Sequence, residues 1–238
     1  MPTSDDWLRR LRPEGQDRVQ LVCFPHAGGA ATYFFPLARS LSPEIAVLAI
    51  QYPGRQDRRN EAALDRISQL ADGVAAALSP YTDRPLAFFG HSMGAVVAYE
   101  TALRLQDQGP GIAHIFASGR RAPSRYRTDS VHLTGDEAIV HELRLLGGTT
   151  ATALEDPELI AMAMPALRAD YRAVETYRHV PGQRLHCPVT ALIGDNDPRT
   201  SEEEGMAWAD HTDGPFGLKV LPGGHFYLNE QTAAVAAP

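Results

Sequence analysis

Short apolar runs alternate along the chain with longer stretches whose apolar side chains recur at every third or fourth position. The runs at 19–25, 46–52, 85–90, 112–118, 189–194 and 218–221 read as buried strands. Between them, 32–41, 62–78 and 94–108 carry helical spacing, and in the second of these Leu64, Ile67, Leu70, Val74 and Leu78 share one face. Strands that alternate with single amphipathic helices predict the α/β class, a mostly parallel central sheet flanked by helices. One domain is expected over 1–238.

One segment departs from the alternation. No strand pattern occurs between about 125 and 179. Thr134-Gly135-Asp136-Glu137 has the capping-box pattern of a helix start, Ile139, Leu143 and Leu146 then share a face, and Gly147-Gly148 ends it. Asp156-Pro157 opens a second helix, which Pro165 is expected to break or kink. Leu167, Tyr171, Val174 and Tyr177 continue on one face. The segment reads as a helical insertion, a lid over the C-terminal edge of the sheet. A plain pair of crossover helices is the alternative.

Composition narrows the setting. The hydrophobic fraction of 44% suffices for one core. No apolar run approaches the roughly 18 residues that a membrane span needs. The first 20 residues are polar and lack an apolar signal core, so a cytoplasmic protein is expected. Cys23 and Cys187 lie far apart beside apolar runs, as two buried free thiols would, and their spacing suggests no metal site. A formal net charge of −7 argues against a nucleic-acid partner.

The candidate chemistry begins at Gly90-His91-Ser92-Met93-Gly94. A G-x-S-x-G string is weak evidence alone, but this one follows a strand and opens a helix. That is the setting of the nucleophile elbow of an α/β-hydrolase fold, with Ser92 as nucleophile. The glycines two positions either side leave room for strand and helix to approach. The N–H groups at the helix start point towards the serine. An oxyanion needs two preorganised donors. Met93 N–H is the first, and the loop Phe24-Pro25-His26-Ala27-Gly28-Gly29 offers the second at Ala27, with Gly28 as the alternative. His26 is expected to shape that loop through hydrogen bonds rather than act as a base.

A serine hydroxyl needs a neighbouring imidazole to take its proton, and in this fold the order is Ser, acid, His. Of nine histidines, His225 in Pro222-Gly223-Gly224-His225-Phe226 follows the last strand and fits. Two aspartates compete for the acid in Asp195-Asn196-Asp197-Pro198. Asp195 directly follows the strand end and suits a turn cap. Asp197 lies further out, where its carboxylate reaches the ring, and is expected to be the acid.

Taken together, seven segments resemble the external, type II thioesterases of polyketide and nonribosomal peptide biosynthesis. They are Leu21-Val22-Cys23-Phe24-Pro25-His26-Ala27-Gly28-Gly29, Gln51-Tyr52-Pro53-Gly54-Arg55, the Ser92 motif, Gly119-Arg120-Arg121-Ala122-Pro123, Asp170-Tyr171-Arg172, Gly194-Asp195-Asn196-Asp197-Pro198 and Gly223-Gly224-His225-Phe226. The resemblance implies hydrolysis of acyl groups from the phosphopantetheine arm of acyl or peptidyl carrier proteins. It implies a triad of Ser92, Asp197 and His225, oxyanion donors at Ala27 and Met93, and a helical lid that shapes an acyl chamber. No cofactor is implied beyond the arm the substrate carries, and a monomer is expected. Family members usually run a little further at the C-terminus, so a short last helix is expected.

Met162 and Met164, with Leu159 and Leu167, are candidates for an adaptable apolar acyl pocket. Arg55, Arg58, Arg59, Arg120, Arg121 and Arg125 follow strand ends and are candidates for the arm's phosphate or an acidic carrier surface, or else solvated loop arginines. The same triad would serve a carboxylesterase or lipase on small esters, or acyl transfer to another acceptor. A catalytically inactive hydrolase fold that binds a partner is the reading of another class.

Overall fold

A computed structural model describes residues 4–12, 19–109, 111–128, 130–148 and 154–237. Parts of the helical segment read from the sequence, at 129 and 149–153, lie outside them. Seven strands form one sheet in the order β1-β3-β2-β4-β5-β6-β7. They are β1 (Leu8–Arg10), β2 (Val19–Phe24), β3 (Ile45–Ile50), β4 (Leu86–His91), β5 (Ile112–Ser118), β6 (Val189–Gly194) and β7 (Phe216–Leu221). All neighbours pair in parallel except β1 and β3.

Alternation along the strands builds two cores, because successive side chains point to opposite faces. Val22 and Phe24 of β2, Leu48 and Ile50 of β3, and Leu86 and Phe88 of β4 share one face with α3 (Ile67–Leu78) and α4 (Met93–Leu105). Leu21, Cys23, Val47, Ala49, Ala87 and Phe89 point the other way, against Leu37 and Ala38 of α2 (Phe35–Ser40) and against Tyr227 and Leu228. With helices on both faces, these strands read as unbroken apolar runs. Both cysteines are buried free thiols.

The strand that the sequence reading lacks is β1. Its three residues, Leu8, Arg9 and Arg10, pair with Ile50, Ala49 and Leu48. An edge strand this short and basic carries no period to read, and its place rests on backbone bonds. Four residues at the chain start, α1 (Ser4–Trp7), precede it. At 32–41 a 3₁₀ turn, Ala31–Phe34, comes before α2. At 62–66 the expected helix is absent, and α3 begins at Ile67.

Between β5 and β6 lie a 3₁₀ turn at Val131–Leu133, α5 (Asp136–Leu146) and α6 (Pro157–Thr176). Ile139, Val140, Leu154, Met164, Leu167 and Tyr171 form a separate small core there. One local expectation fails, and of the break or kink expected at Pro165 the break does not occur. Thr134 is not a helix cap: Gly135 holds that position without a side-chain bond, and the Thr134 hydroxyl donates to Val131 O at 2.6 Å. Pro165 does not end its helix, which runs on to Thr176. Its ring is exposed, as is Ala161 one turn earlier, so the carbonyl that loses a partner faces water. The start at Asp156 matches the expectation, its carboxylate accepting from Glu158 N and Leu159 N. So does the stop at Gly147, with φ +76°. After β6 come α7 (Glu202–Met206) and, last, α8 (Thr232–Ala236).

Register aligns the C-terminal strand ends. Phe24 lies beside Gly90, His91 beside Ser118, and Gly194 beside Leu221. The loops after β2, β4, β6 and β7 therefore emerge together, the edge where parallel sheets place their sites.

Candidate active site

Ser92 sits between β4 and α4 with φ 54° and ψ −119°. A side-chain-bearing residue rarely holds that conformation, and the surroundings impose it. Ser92 N–H donates to Ser118 O at 2.8 Å, and Ser92 O accepts from Ala95 N–H at 3.0 Å. A Cβ on Gly90 would strike Gly94 O and Ala95, and one on Gly94 would strike Phe24 O. The tight turn thus requires glycine at both positions.

His225 Nε2 lies 3.0 Å from Ser92 Oγ. The other ring nitrogen, Nδ1, lies 3.0 and 2.9 Å from the two Asp197 oxygens. The His225 side chain is 3% exposed and that of Asp197 is fully buried. Low exposure keeps water from competing for these bonds. Arg199 N–H also donates to Asp197 Oδ1, at 2.8 Å, and fixes the carboxylate. Asp195 has different work: its Oδ1 accepts from Gly223 N–H at 2.9 Å and from Asn196 Nδ2 at 2.7 Å. The structure thus brings Ser92, His225 and Asp197 together and uses Asp195 to tie the turn.

Ala27, Ser92, Met93 and His225 line one cavity of about 60 Å³. Met93 is the first residue of α4, so its N–H has no partner within the helix. Gly28 N–H donates to Asp170 Oδ2 at 2.7 Å, which removes Gly28 as the alternative oxyanion donor. An apolar cavity of about 200 Å³ adjoins and shares His26, Ala27, Leu143 and Phe226 with the first. Its other walls include Leu154, Leu159, Ile160 and Leu167.

Neither Met162 nor Met164 lines either cavity. Met162 is 57% exposed, while Met164 is 5% exposed and packs α6 onto Ile139 and Leu154. On a helix, two residues that are two apart face different ways, so one methionine meets solvent and the other the small core. The arginines also need correction. Arg55, Arg58 and Arg121 are buried, and so are not solvated loop arginines. Arg58 is bonded to Glu61 and to Gln51 O. Arg120, Arg121, Arg125, Arg127 and Arg178 do line a small cleft that shares Arg120, Arg121, Val174 and Glu175 with the Ser92 cavity.

Sequence reasoning took His26 only as a loop former and gave His91 no role, and so missed that both lie near the base. His26 and His91 pack near each other, with ring centroids 5.9 Å apart, and His91 lies 5.3 Å from His225. Burial, then the proximity of His225 and of Arg55, pushes the His26 pKa down to about 3. Burial, then His225 and His26, holds His91 well below the ordinary histidine value. Both rings are neutral near pH 7, so neither opposes a positive charge on His225. His91 Nδ1 lies 2.9 Å from Ser118 Oγ, which lies 2.5 Å from the Tyr227 hydroxyl. His26 shapes its loop otherwise than expected: its ring packs edge-on against Tyr33 and Phe226, and its buried Nδ1 has no hydrogen-bond partner among the described residues.

The family description "Thioesterase domain" matches residues 19–237. The chain belongs to the thioesterase family. The thioesterase is 50% identical over 237 residues to a probable cadicidin biosynthesis thioesterase of Streptomyces griseus, covering 98% of this chain and 66% of that protein. It is 49% identical over 228 residues to the thioesterase PikA5 of Streptomyces venezuelae, covering 94% and 81%. Among solved structures it is similar to the type II thioesterase BorB from the borrelidin biosynthetic cluster, with TM-score 0.90, 49% identity and coverage of 99% and 97%.

Two outcomes test the site. Asp197→Asn should lower kcat by about 10⁴-fold, as loss of the triad acid does elsewhere, while Asp195→Asn should stay within about tenfold of the parent; ester hydrolysis by the purified variants measures both. His26 binds its proton far more readily unfolded than folded, so its contribution to stability is intact above pH 6.5 and falls as pH drops from 6.5 towards 3. Urea unfolding at pH 7 and pH 4.5 should therefore show a smaller loss for His26→Phe than for the parent. An equal loss would show that His26 is not buried uncharged.

Proposed function

We propose that this thioesterase hydrolyses acyl thioesters from the phosphopantetheine arm of acyl or peptidyl carrier proteins, and so clears misloaded or stalled units in polyketide or nonribosomal peptide assembly. The observation that carries the reading is the Asp197–His225–Ser92 hydrogen-bond relay at a strained elbow. Its membership of the thioesterase family directs that relay to a thioester. The motif set also resembles the rifamycin-pathway enzyme, which makes a polyketide assembly line the expected setting.

Ser92 Oγ adds to the thioester carbonyl carbon while its proton passes to His225 Nε2. The C–S bond breaks, and sulfur leaves with the electron pair and takes that proton as the free pantetheine thiol. Water then attacks the acyl-serine and gives a proton to Nε2. Ser92 Oγ leaves with it, and the free acid departs. Asp197 holds the Nδ1–H tautomer and stabilises the imidazolium without taking its proton. Ala27 N–H and Met93 N–H receive the oxyanion, where one donor is worth about 10²–10³ in kcat.

α5 and α6 serve as the lid, and the apolar cavity under Leu159 and Leu167 receives the acyl chain. The arginine cleft leads from the same serine and suits the arm's phosphate, with Arg125 exposed at its rim.

Intact mass spectrometry of a panel of acyl carrier proteins should show loss of the acyl mass with the enzyme and none with Ser92→Ala. Unchanged acyl masses beside rapid p-nitrophenyl ester hydrolysis would instead assign the chain to small esters. Arg125→Glu should raise KM for an acyl carrier protein several-fold and leave p-nitrophenyl ester hydrolysis alone, since a rim charge acts through encounter. Equal losses on both substrates would remove Arg125 from docking.

A further inference from the structure

Two sequence segments that stand apart from the triad, Gln51-Tyr52-Pro53-Gly54-Arg55 and Asp170-Tyr171-Arg172, meet beside the oxyanion loop. Asp170, on α6, is fully buried. Its Oδ2 accepts from Arg55 Nη1 at 2.6 Å and from Gly28 N–H at 2.7 Å, and its Oδ1 accepts from Arg55 Nη2 at 3.0 Å. Arg55 Nη1 also donates to Gly29 O at 3.3 Å. Gln51 Nε2 donates to Arg55 O at 3.2 Å, and Gln51 Oε1 accepts from Ala31 N–H at 3.0 Å. The loop's own bond runs from Gly29 N–H to His26 O at 2.9 Å.

The loop is thus held at Gly28, Gly29 and Ala31 by buried side chains. It needs holding. Gly28 has φ +75°, and a glycine-bearing turn has many conformations of similar energy. An oxyanion donor does its work only if its position is fixed to about 0.5 Å. Ala27 carries that donor one residue before Gly28, and the bond to Asp170 fixes the Ala27–Gly28 peptide from behind. The carboxylate makes no bond to Ser92 or His225, and its charge is matched by Arg55. It therefore sits near the site without competing with Asp197 for the imidazolium. The helix that carries it also presses Leu167 against Gly28, where an added Cβ would collide.

We infer that Asp170, anchored by Arg55, is a positioning residue that sets the Ala27 oxyanion donor, so that seating of α6 completes the oxyanion hole. The inference rests on the serine-hydrolase reading above.

The test uses Asp170→Asn and the charge-balanced double variant Arg55→Gln/Asp170→Asn on a p-nitrophenyl ester. Active sites are counted with a fluorophosphonate, and melting curves are recorded alongside. The expected result is a 10- to 100-fold lower kcat per titrated site, with KM within about twofold. Affinity for a trifluoromethyl ketone should fall by the same factor, because Ser92 Oγ adds to its carbonyl and leaves an oxyanion in the hole. The pH dependence of kcat/KM should not move, since His225 and Asp197 are untouched. Either variant at wild-type turnover per titrated site, whatever its melting temperature, overturns the inference and leaves the ion pair a structural one. Variants too unstable to yield titratable sites count against it equally. Failure of the underlying reading looks different: Ser92→Ala, run in parallel, would then hydrolyse the ester as fast as the parent.

Discussion

The backbone of Ser92 is the constraint on which the structure is built. A φ of 54° on a residue with a side chain costs of the order of 1–3 kcal/mol, so the surroundings must enforce it. They do so through a strand that ends against Ser118, a helix that starts at once, and two glycines that let the helix and the β2 carbonyl come within contact of each other. The small residues on the inner side of α4, Ala95, Ala98 and Ala102, are wholly buried for the same reason.

Electrostatics near the serine depends on which groups stay neutral. Three histidines cluster there, and only His225 has a carboxylate on its far nitrogen. His26 and His91 are held uncharged by burial, so the proton that leaves Ser92 finds one basic nitrogen. The Arg55–Asp170 ion pair is buried close by, and it ties the oxyanion loop to α6. Breaking such a buried pair by removing one partner typically costs about 3–5 kcal/mol. That cost falls on both α6 and the oxyanion loop, because the same carboxylate touches both.

Much of this was legible in the sequence. Six of the strands show as apolar runs because helices cover both faces of the sheet, and the glycine spacing around Ser92 marks a turn that few other sequences satisfy. Strand β1 was not legible, since Leu8, Arg9 and Arg10 owe their conformation to pairing with β3 rather than to their own pattern. The choice between Asp195 and Asp197 was legible from loop position, but that Gly28 N–H is engaged elsewhere shows only in its bond to Asp170, which joins positions far apart in the chain. The methionines and the buried arginines failed for one reason. Residue type states what a side chain is able to do, while the direction of its helix face or loop decides what it meets.

The loops bearing Asp197 and His225 are sewn together by backbone bonds. Asp195 N–H donates to Leu221 O at 2.9 Å, Asn196 N–H donates to Gly223 O at 3.0 Å, and the Asp195 carboxylate holds Gly223 N–H. A side chain on Gly194 would force them apart. Acid and base therefore form a single cassette at the β6–β7 edge, while the nucleophile belongs to β4, with β5 between. A twist between β4 and the β6–β7 edge would act on the gap between Nε2 and Oγ before it acts on the carboxylate–imidazole distance. The weakest joint of the relay is thus the one through which the proton first moves, and its length is the natural gauge of how an altered sheet would tune the rate.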